Sequence, residues 1–127
     1  MGCGQERGGR CAPCTFLYMK ALRFWGTSLS DLRAFPATAR RAAGYQLDRI
    51  QNGLLPSDGK PMATIGKGVR EIRIRDETGA FRLIYVANIA DAVHVPHCFR
   101  KTSQKTSKAD LALASRRYLE LVKEQRP

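Results

Sequence analysis

The 127-residue sequence contains no long apolar segment and few acidic side chains. The apolar run near its N-terminus, Thr15 to Met19, is shorter than the about 7–15 residues of a signal-peptide core or the about 20 residues of a membrane span. We therefore expect a cytoplasmic protein without a membrane partner. The 11 Asp and Glu residues are outnumbered by 22 Lys and Arg residues, which leaves a net charge of +11. An excess of this size indicates a polyanionic partner such as a nucleic acid or an acidic protein.

Sequence motifs of several enzyme classes are also missing. The sequence has no Gly-x-Ser-x-Gly nucleophile elbow, no P-loop and no Gly-x-Gly-x-x-Gly fingerprint. Acidic residues are scattered, and only Asp76 and Glu77 are adjacent, so no site for metal-assisted hydrolysis is predicted. A Cys98 nucleophile beside His94 or His97 is an alternative, but a cysteine among apolar strand residues is more often a small core side chain.

Residues 1–18 differ in composition from the rest of the chain. This Gly-rich segment holds three of the four cysteines, Cys3, Cys11 and Cys14. Three thiolates fill only part of a zinc site, and no fourth ligand follows at finger-like spacing, so we expect no metal. We expect a flexible leader at 1–18 that carries no fold, and one domain at 19–127. Met19 is then the expected start of the domain, and an upstream start codon is the expected origin of the leader.

The apolar pattern predicts the order β-α-α-β-β-β-α. Such an order indicates an α+β domain with a mainly antiparallel sheet and helices packed on one face. The first strand is expected at 20–25, and a short helix capped by Ser28 follows and ends by Pro36. The second helix ends at Asn52-Gly53. Its apolar face is predicted to consist of Ala39, Ala43, Leu47, Ile50 and Leu54.

The second half of the chain is predicted to begin with a loop at 56–67. Three strands follow at 69–75, 81–87 and 91–97, and a turn at 76–79 joins the first two. Pro96 is expected at a strand end or a sheet edge because it cannot donate a ladder hydrogen bond. Ser107 is expected to cap the last helix, whose apolar positions are Leu111, Ala114, Tyr118, Leu121 and Val122.

Cationic side chains concentrate on the predicted sheet and on the segment after it. Arg73 and Arg75 share one face of their strand, and Glu71 is the only acid interleaved with Arg70, Arg73 and Arg75. We expect the cationic side chains to converge on one face of the sheet, opposite a core of Ile72, Ile74, Ile84 and Val86. The cationic candidates are Arg73, Arg75, Arg82, His97, Arg100, Lys101 and Lys105. A basic sheet face binds phosphate groups. The alternative is an ordinary solvated strand face.

Three sequence blocks together resemble the phage-derived Gp49-like, HigB-type branch of the RelE/ParE toxin superfamily. They are GVREIRI at 68–74, GAFRLIY at 79–85 and HCFRKTSQKT at 97–106, and the resemblance spans about residues 19–126. It implies a RelE-like fold and a small bacterial toxin encoded beside a helix-turn-helix antitoxin. It further implies ribosome-dependent cleavage of mRNA by attack of the ribose 2′-hydroxyl on the adjacent phosphate, with no metal and no other cofactor.

The resemblance also implies roles for individual residues. Arg82 matches the phosphate-binding arginine of the superfamily, and Arg73 matches a basic position of the preceding strand. His97 matches the opening histidine of the third block and is an acid–base candidate, with capping or core packing as the alternative. The catalytic candidates are thus Arg73, Arg82, His97 and Lys101, and the candidates for binding RNA phosphates are Arg75, Arg100 and Lys105.

Two departures from the family pattern leave other functions open. Thr102 stands where the family has the second of two paired lysines, and Ser107 stands where it has a proline. The first departure removes a cation, and the second changes only how the last helix is capped. The alternatives are a ParE-like toxin that poisons gyrase and a catalytically inactive binding module of the same fold, because fold alone does not determine the target.

Overall fold

A computed structural model describes residues 19–102 and 105–125 of the chain. In chain order they form strand β1 (Ala21–Phe24), helices α1 (Ser28–Arg33) and α2 (Ala37–Gln51), strands β2 (Gly59–Pro61), β3 (Val69–Asp76), β4 (Gly79–Ile89) and β5 (Ala92–Lys101), and helix α3 (Lys108–Glu124). The predicted α+β class is confirmed. None of these three helices is long and apolar enough to cross a bilayer. The predicted leader and its three cysteines lie outside the described residues.

The five strands form one sheet in the order β1-β5-β4-β3-β2. β1 runs parallel to β5, and the other three neighbouring pairs are antiparallel, which confirms the mainly antiparallel sheet. Asp76 pairs with Gly79, so Glu77 and Thr78 form a two-residue turn between β3 and β4. Gly79 has a φ of +141°, a conformation that favours glycine, and the predicted turn is therefore confirmed.

Two features of the sheet differ from the predictions. The segment predicted as a loop at 56–67 contains β2, a short edge strand paired with β3. Pro96 lies inside β5, so its predicted place at a strand end is wrong, but it lies just past the last residue of β5 that pairs with β1, so that side of the strand is a sheet edge at Pro96. The ladder with β1 stops at Val95, and the register with β4 shifts between Ile84 and Val86. Because of this irregularity, the missing N–H of Pro96 interrupts neither ladder.

Both faces of the sheet are covered, so the prediction that the helices pack on one face is wrong. One apolar cluster joins α1 and α2 to Ile72, Ile74, Leu83 and Tyr85. The other joins α3 to the opposite face, at Val69, Ile84, Val86 and Phe99. Side chains alternate along a strand, and Phe81 to Val86 of β4 are all buried. A central strand that is apolar on both sides needs a cover on both sides.

The helix ends agree with the sequence in part. Ser28 does not cap α1, because its hydroxyl accepts from the Trp25 amide at 3.1 Å and donates to the Val95 carbonyl at 2.7 Å. α2 stops before Gly53, which has a φ of +84°, as predicted. Leu54 lies beyond this helix and is 52% exposed, so its predicted place on the apolar face is wrong. Ser107 caps α3 by accepting from the Asp110 amide at 3.0 Å, as predicted.

Candidate functional site

Four of the predicted cationic residues share the face of the sheet that α3 partly covers. Arg73 of β3 is paired directly with Arg82 of β4, and Arg75 is paired with Ala80, which is itself paired with Lys101 of β5. Directly paired residues project to the same face of a sheet. The pairing therefore brings two arginines side by side and places an arginine and a lysine one step further along the strands.

Lys60, which was not among the predicted site residues, joins this face. It lies on β2 and is paired with Glu71 of β3. Sequence reasoning missed it because the three residues of β2, Gly59 to Pro61, carry no periodic signal and were predicted as loop. We use the name cationic face for five residues: Lys60, Arg73, Arg75, Arg82 and Lys101.

A buried carboxylate lies at the centre of the cationic face. Glu71 is 1% exposed, and its Oε1 lies 3.4 Å from Nε of Arg73 and 3.7 Å from Nε of Arg82. Its second oxygen, Oε2, is buried and has no hydrogen-bond partner among the described residues. The sequence showed Glu71 as the one acid among these arginines, but not that it is buried. The carboxylate offsets part of the repulsion between the two guanidinium groups.

The two arginines beside Glu71 differ in exposure. The Arg73 side chain is 36% exposed, whereas Arg82 is buried and donates from Nη1 to the Phe81 carbonyl at 3.0 Å. Burial lowers the pKa of Arg82, and the charge of Glu71 opposes this shift. Arg73 can therefore reach a ligand directly, while Arg82 contributes positive charge from below the surface.

Lys101 lies within the electrostatic field of the same cluster. Partial burial and then the charge of Arg82 lower the pKa of Lys101 from its ordinary value, and Glu71 partly opposes them. A lysine with a lowered pKa gives up its proton more readily than an isolated lysine does. This is the direction of shift that proton donation to a leaving group requires.

His97 lies beneath α3 rather than at the surface. It is 4% exposed, and its Nε2 lies 2.8 Å from Oδ1 of Asp110 in the first turn of α3. Its ring stacks on Phe99, with the centroids 5.0 Å apart. This geometry favours the alternative role for His97, in which the imidazole ties the start of α3 to β5.

Arg100 lies on the opposite face of the sheet from Arg82. Its guanidinium carbon lies 5.6 Å from the centroid of the Phe81 ring, and Nη2 donates to the Thr78 carbonyl. It lines a separate cleft of about 330 Å³ together with Asp31. The expected convergence of cations on one face therefore does not include Arg100. Ile84 and Val86 also differ from expectation, because they pack beneath α3 on the side of the cations.

A cleft of about 360 Å³ opens beside the cationic face. Two parts of the chain line it, one at 60–64, which begins in β2, and the other made by the end of β5, residues 105–106 and the start of α3. We call it the lysine cleft, and its lining residues are Lys60, Met62, Thr64, Lys101, Lys105, Thr106 and Leu111. The structure thus places Lys105, another predicted phosphate-binding residue, in the same region as Lys101.

The described residues offer no metal site or reactive thiol. No group of three or more His, Cys, Asp or Glu side chains in residues 19–102 and 105–125 is arranged to hold a metal ion. Cys98 is buried in the cluster beneath α1 and α2, and burial raises the pKa of its thiol. A cysteine that resists ionisation is a poor nucleophile, so Cys98 serves as a core side chain.

The arrangement is suited to a ligand that carries several phosphates. Arginine and lysine bind anionic oxygens, and an arginine can bind two of them at once. The positions of Lys60, Arg73, Arg75 and Lys101 on one face let them contact successive phosphates of one chain or several oxygens of one phosphate. The same groups stabilise negative charge that develops on a phosphate during a reaction.

Comparisons with known proteins agree with the fold. The model of the family described as phage-derived protein Gp49-like matches residues 30–119. A solved structure of a mutant of E. coli toxin RelE in the free state is similar, with a TM-score of 0.52 and 21% sequence identity over 84% of this chain and 97% of that chain. At this identity the likeness shows the fold alone, which is RelE-like. No curated protein matches the sequence.

Proposed function

The chain belongs to the Gp49-like family of phage-derived proteins, and from this we propose that it is a RelE-type toxin that cleaves mRNA on the ribosome. The observation that best supports the proposal is the direct pairing of Arg73 with Arg82 over the buried Glu71, beside a cleft lined with lysines. A site of this composition matches phosphate chemistry that uses no metal.

The proposed reaction is attack of a ribose 2′-hydroxyl on the adjacent phosphate. The bond from the 2′-oxygen to phosphorus forms while the bond from phosphorus to the 5′-oxygen breaks, which leaves a 2′,3′-cyclic phosphate and a 5′-hydroxyl. The 2′-hydroxyl loses its proton to a water molecule, and the leaving 5′-oxygen gains one. Negative charge accumulates on the non-bridging oxygens, and preorganised cations stabilise it.

In this proposal the residues of the site have distinct roles. Arg73 binds the non-bridging oxygens, and Arg82 adds positive charge from beneath it. Lys101, whose pKa is lowered, donates the proton to the leaving 5′-oxygen. Arg75 and Lys105 hold neighbouring phosphates.

His97 takes a positioning role in the proposed mechanism instead of the acid–base role suggested by the sequence. Its contact with Asp110 holds the N-terminal end of α3 against β5. That end of the helix forms one wall of the lysine cleft, where Leu111 lies. His97 therefore acts on the reaction through the shape of the cleft.

The proposed function implies particular partners and a location. The ribosome presents the mRNA, so the toxin acts in the cytoplasm. An antitoxin of helix-turn-helix type keeps it inactive, and the net charge of +11 suits a partner with acidic segments. The gene next to that of this protein is expected to encode such an antitoxin.

The proposal is tested by mapping mRNA 5′ ends in a translating extract that contains the protein. We expect new 5′ ends within coding regions, and we expect Arg73→Ala to lower the cleavage rate by about 10²-fold. Arg100→Ala is the matched control, because Arg100 is an exposed strand arginine on the opposite face. Intact mRNA together with gyrase-dependent DNA breaks would favour the ParE-like alternative and contradict the proposal.

A further inference from the structure

The lysine cleft contains more than a phosphate site requires. Met62 and Leu111 add apolar surface to its lining; Met62 belongs to the apolar cluster beneath α3, and Leu111 packs against that cluster. Thr64 and Thr106 add two hydroxyl groups from different segments of the chain. Cations alone bind phosphate, so the apolar side chains and the hydroxyls point to a ligand that has a flat apolar part and a polar edge.

We infer that the lysine cleft binds one unpaired nucleobase of the RNA, that of a nucleotide beside the cleaved bond. This inference rests on the proposed function and adds a base-binding subsite to it. The base lies against Met62 and Leu111, and its edge is hydrogen-bonded by Thr64 and Thr106. Unpaired bases are the usual targets of sequence-specific RNA recognition, and a threonine hydroxyl both donates and accepts.

The size of the cleft fits this ligand. Its volume of about 360 Å³ is near the lower end of the range for small-molecule pockets, which is about 300–1,000 Å³. A cleft of this size admits a single nucleotide, whereas a duplex would have to lie across its mouth.

The position of the cleft fits as well. Lys60 and Lys101 belong both to the cationic face and to the lining of the cleft. Arg82 is paired with Phe99, and Lys101 follows two residues later on β5 and on the same face, so the cleft and the arginine pair are neighbours. A phosphate held at the arginine pair therefore has its own or its neighbour's base beside the cleft. The subsite makes the cleavage position depend on the identity of that base.

A binding experiment tests the subsite without relying on cleavage. The chain has three methionines, Met1, Met19 and Met62, so methyl-labelled methionine gives three NMR signals, and Met62→Leu assigns the one from the cleft. We expect nucleoside monophosphates to shift the Met62 signal and to bind about tenfold more tightly than ribose 5-phosphate, which carries no base. The Met19 signal is the internal control, and inorganic phosphate is the probe for a phosphate site alone.

Three results would overturn the inference. The first is a Met62 signal that no nucleotide moves, and the second is equal binding of ribose 5-phosphate and the nucleotides. The third is a larger shift of Met62 with poly-glutamate than with any nucleotide, which would assign the cleft to an acidic protein segment.

Cleavage mapping provides the second test. Thr64→Val and Thr106→Val remove a hydroxyl and keep the side-chain volume, and we expect each to weaken the preference for a base beside the cut by about fivefold. Thr38→Val is the control, since the Thr38 hydroxyl bonds to Asp76 at 2.7 Å, away from the cleft. If the wild-type protein does not cleave RNA, the proposed function fails, and NMR still tests the subsite. If it cleaves and both variants keep the wild-type base preference, the subsite alone is refuted.

Discussion

Removing the carboxylate of Glu71 is expected to destabilise the fold by far more than removing an ordinary surface charge. Glu71 is 1% exposed and Arg82 is 4% exposed, and the two charges lie 3.7 Å apart. In Glu71→Ala the guanidinium of Arg82 loses this counter-charge and remains buried. Breaking a buried ion pair on one side typically costs about 3–5 kcal/mol, because an uncompensated charge is left inside.

The contact of Glu71 with Arg73 adds little to this cost. The Arg73 side chain is 36% exposed and can be hydrated when its partner is lost, and solvent-exposed pairs contribute about 0–1 kcal/mol. We therefore expect Glu71→Ala to lower the free energy of unfolding by about 3–5 kcal/mol in total. Replacing both partners, in Glu71→Met with Arg82→Met, removes both charges and is expected to recover at least about 2 kcal/mol of this loss.

Urea unfolding followed by the fluorescence of Trp25, the one tryptophan in the sequence, measures these free energies. Glu77→Ala is the control, because Glu77 lies exposed in the adjacent turn and its removal is expected to change the free energy of unfolding by less than about 0.5 kcal/mol. A cost below about 1 kcal/mol for Glu71→Ala would refute the reasoning. It would mean that Arg82 is hydrated or neutralised by another group once the carboxylate is gone.

Three further predictions concern groups around the site. Burial lowers the pKa of His94, whose Nδ1 accepts a hydrogen bond from Trp25 at 3.0 Å. The contribution of neutral His94 to the free energy of unfolding is therefore complete above the ordinary histidine pKa of about 6.5 and is lost as pH falls below that value. Urea unfolding across pH will show this loss, and His94→Gln will reduce it. His97→Ala and Asp110→Ala will have non-additive effects on the free energy of unfolding, with a coupling of about 1 kcal/mol or more; strict additivity would show that their 2.8 Å contact is not maintained. Lys101→Ala will lower the cleavage rate in a translating extract by about 10²-fold, and an unchanged rate would remove Lys101 from the mechanism.

Local patterns in the sequence predicted much of the fold. The spacing of Ala39, Ala43, Leu47 and Ile50 predicted the buried face of α2, and all four are buried. The alternation in β3 predicted that Ile72 and Ile74 face a core, and both do. These features depend on the helical and strand periods of neighbouring residues, which a sequence shows directly.

Features that depend on distant partners could not be predicted in the same way. Ser28 stands at the start of α1 but bonds to the carbonyl of Val95, a contact that only the parallel pairing of β1 with β5 creates. The position of Pro96 inside β5 depends on a register shift opposite β4. The side of the sheet that α3 covers is likewise set by tertiary packing.

The same limit applies to the candidate site. The sequence showed that Arg73 and Arg75 share a face, but the direct pairing of Arg73 with Arg82 follows from the register of β3 and β4. Arg100 was expected with the others because it is close in sequence to Lys101, yet neighbouring strand residues point to opposite faces. Lys60 could be assigned to the cationic face only from the pairing of β2 with β3.

The central proposal is that this chain cuts ribosome-bound mRNA by 2′-hydroxyl attack. The most direct measurement is the chemistry of the RNA ends made by the purified protein, with and without translating ribosomes. The account predicts 2′,3′-cyclic phosphate and 5′-hydroxyl ends that form when the mRNA is being translated. These ends persist in Arg100→Ala and form about 10²-fold more slowly in Arg73→Ala. RNA ends of another chemistry would contradict it. So would free mRNA being cleaved as fast as translated mRNA, or Arg73→Ala cleaving as fast as the wild-type protein.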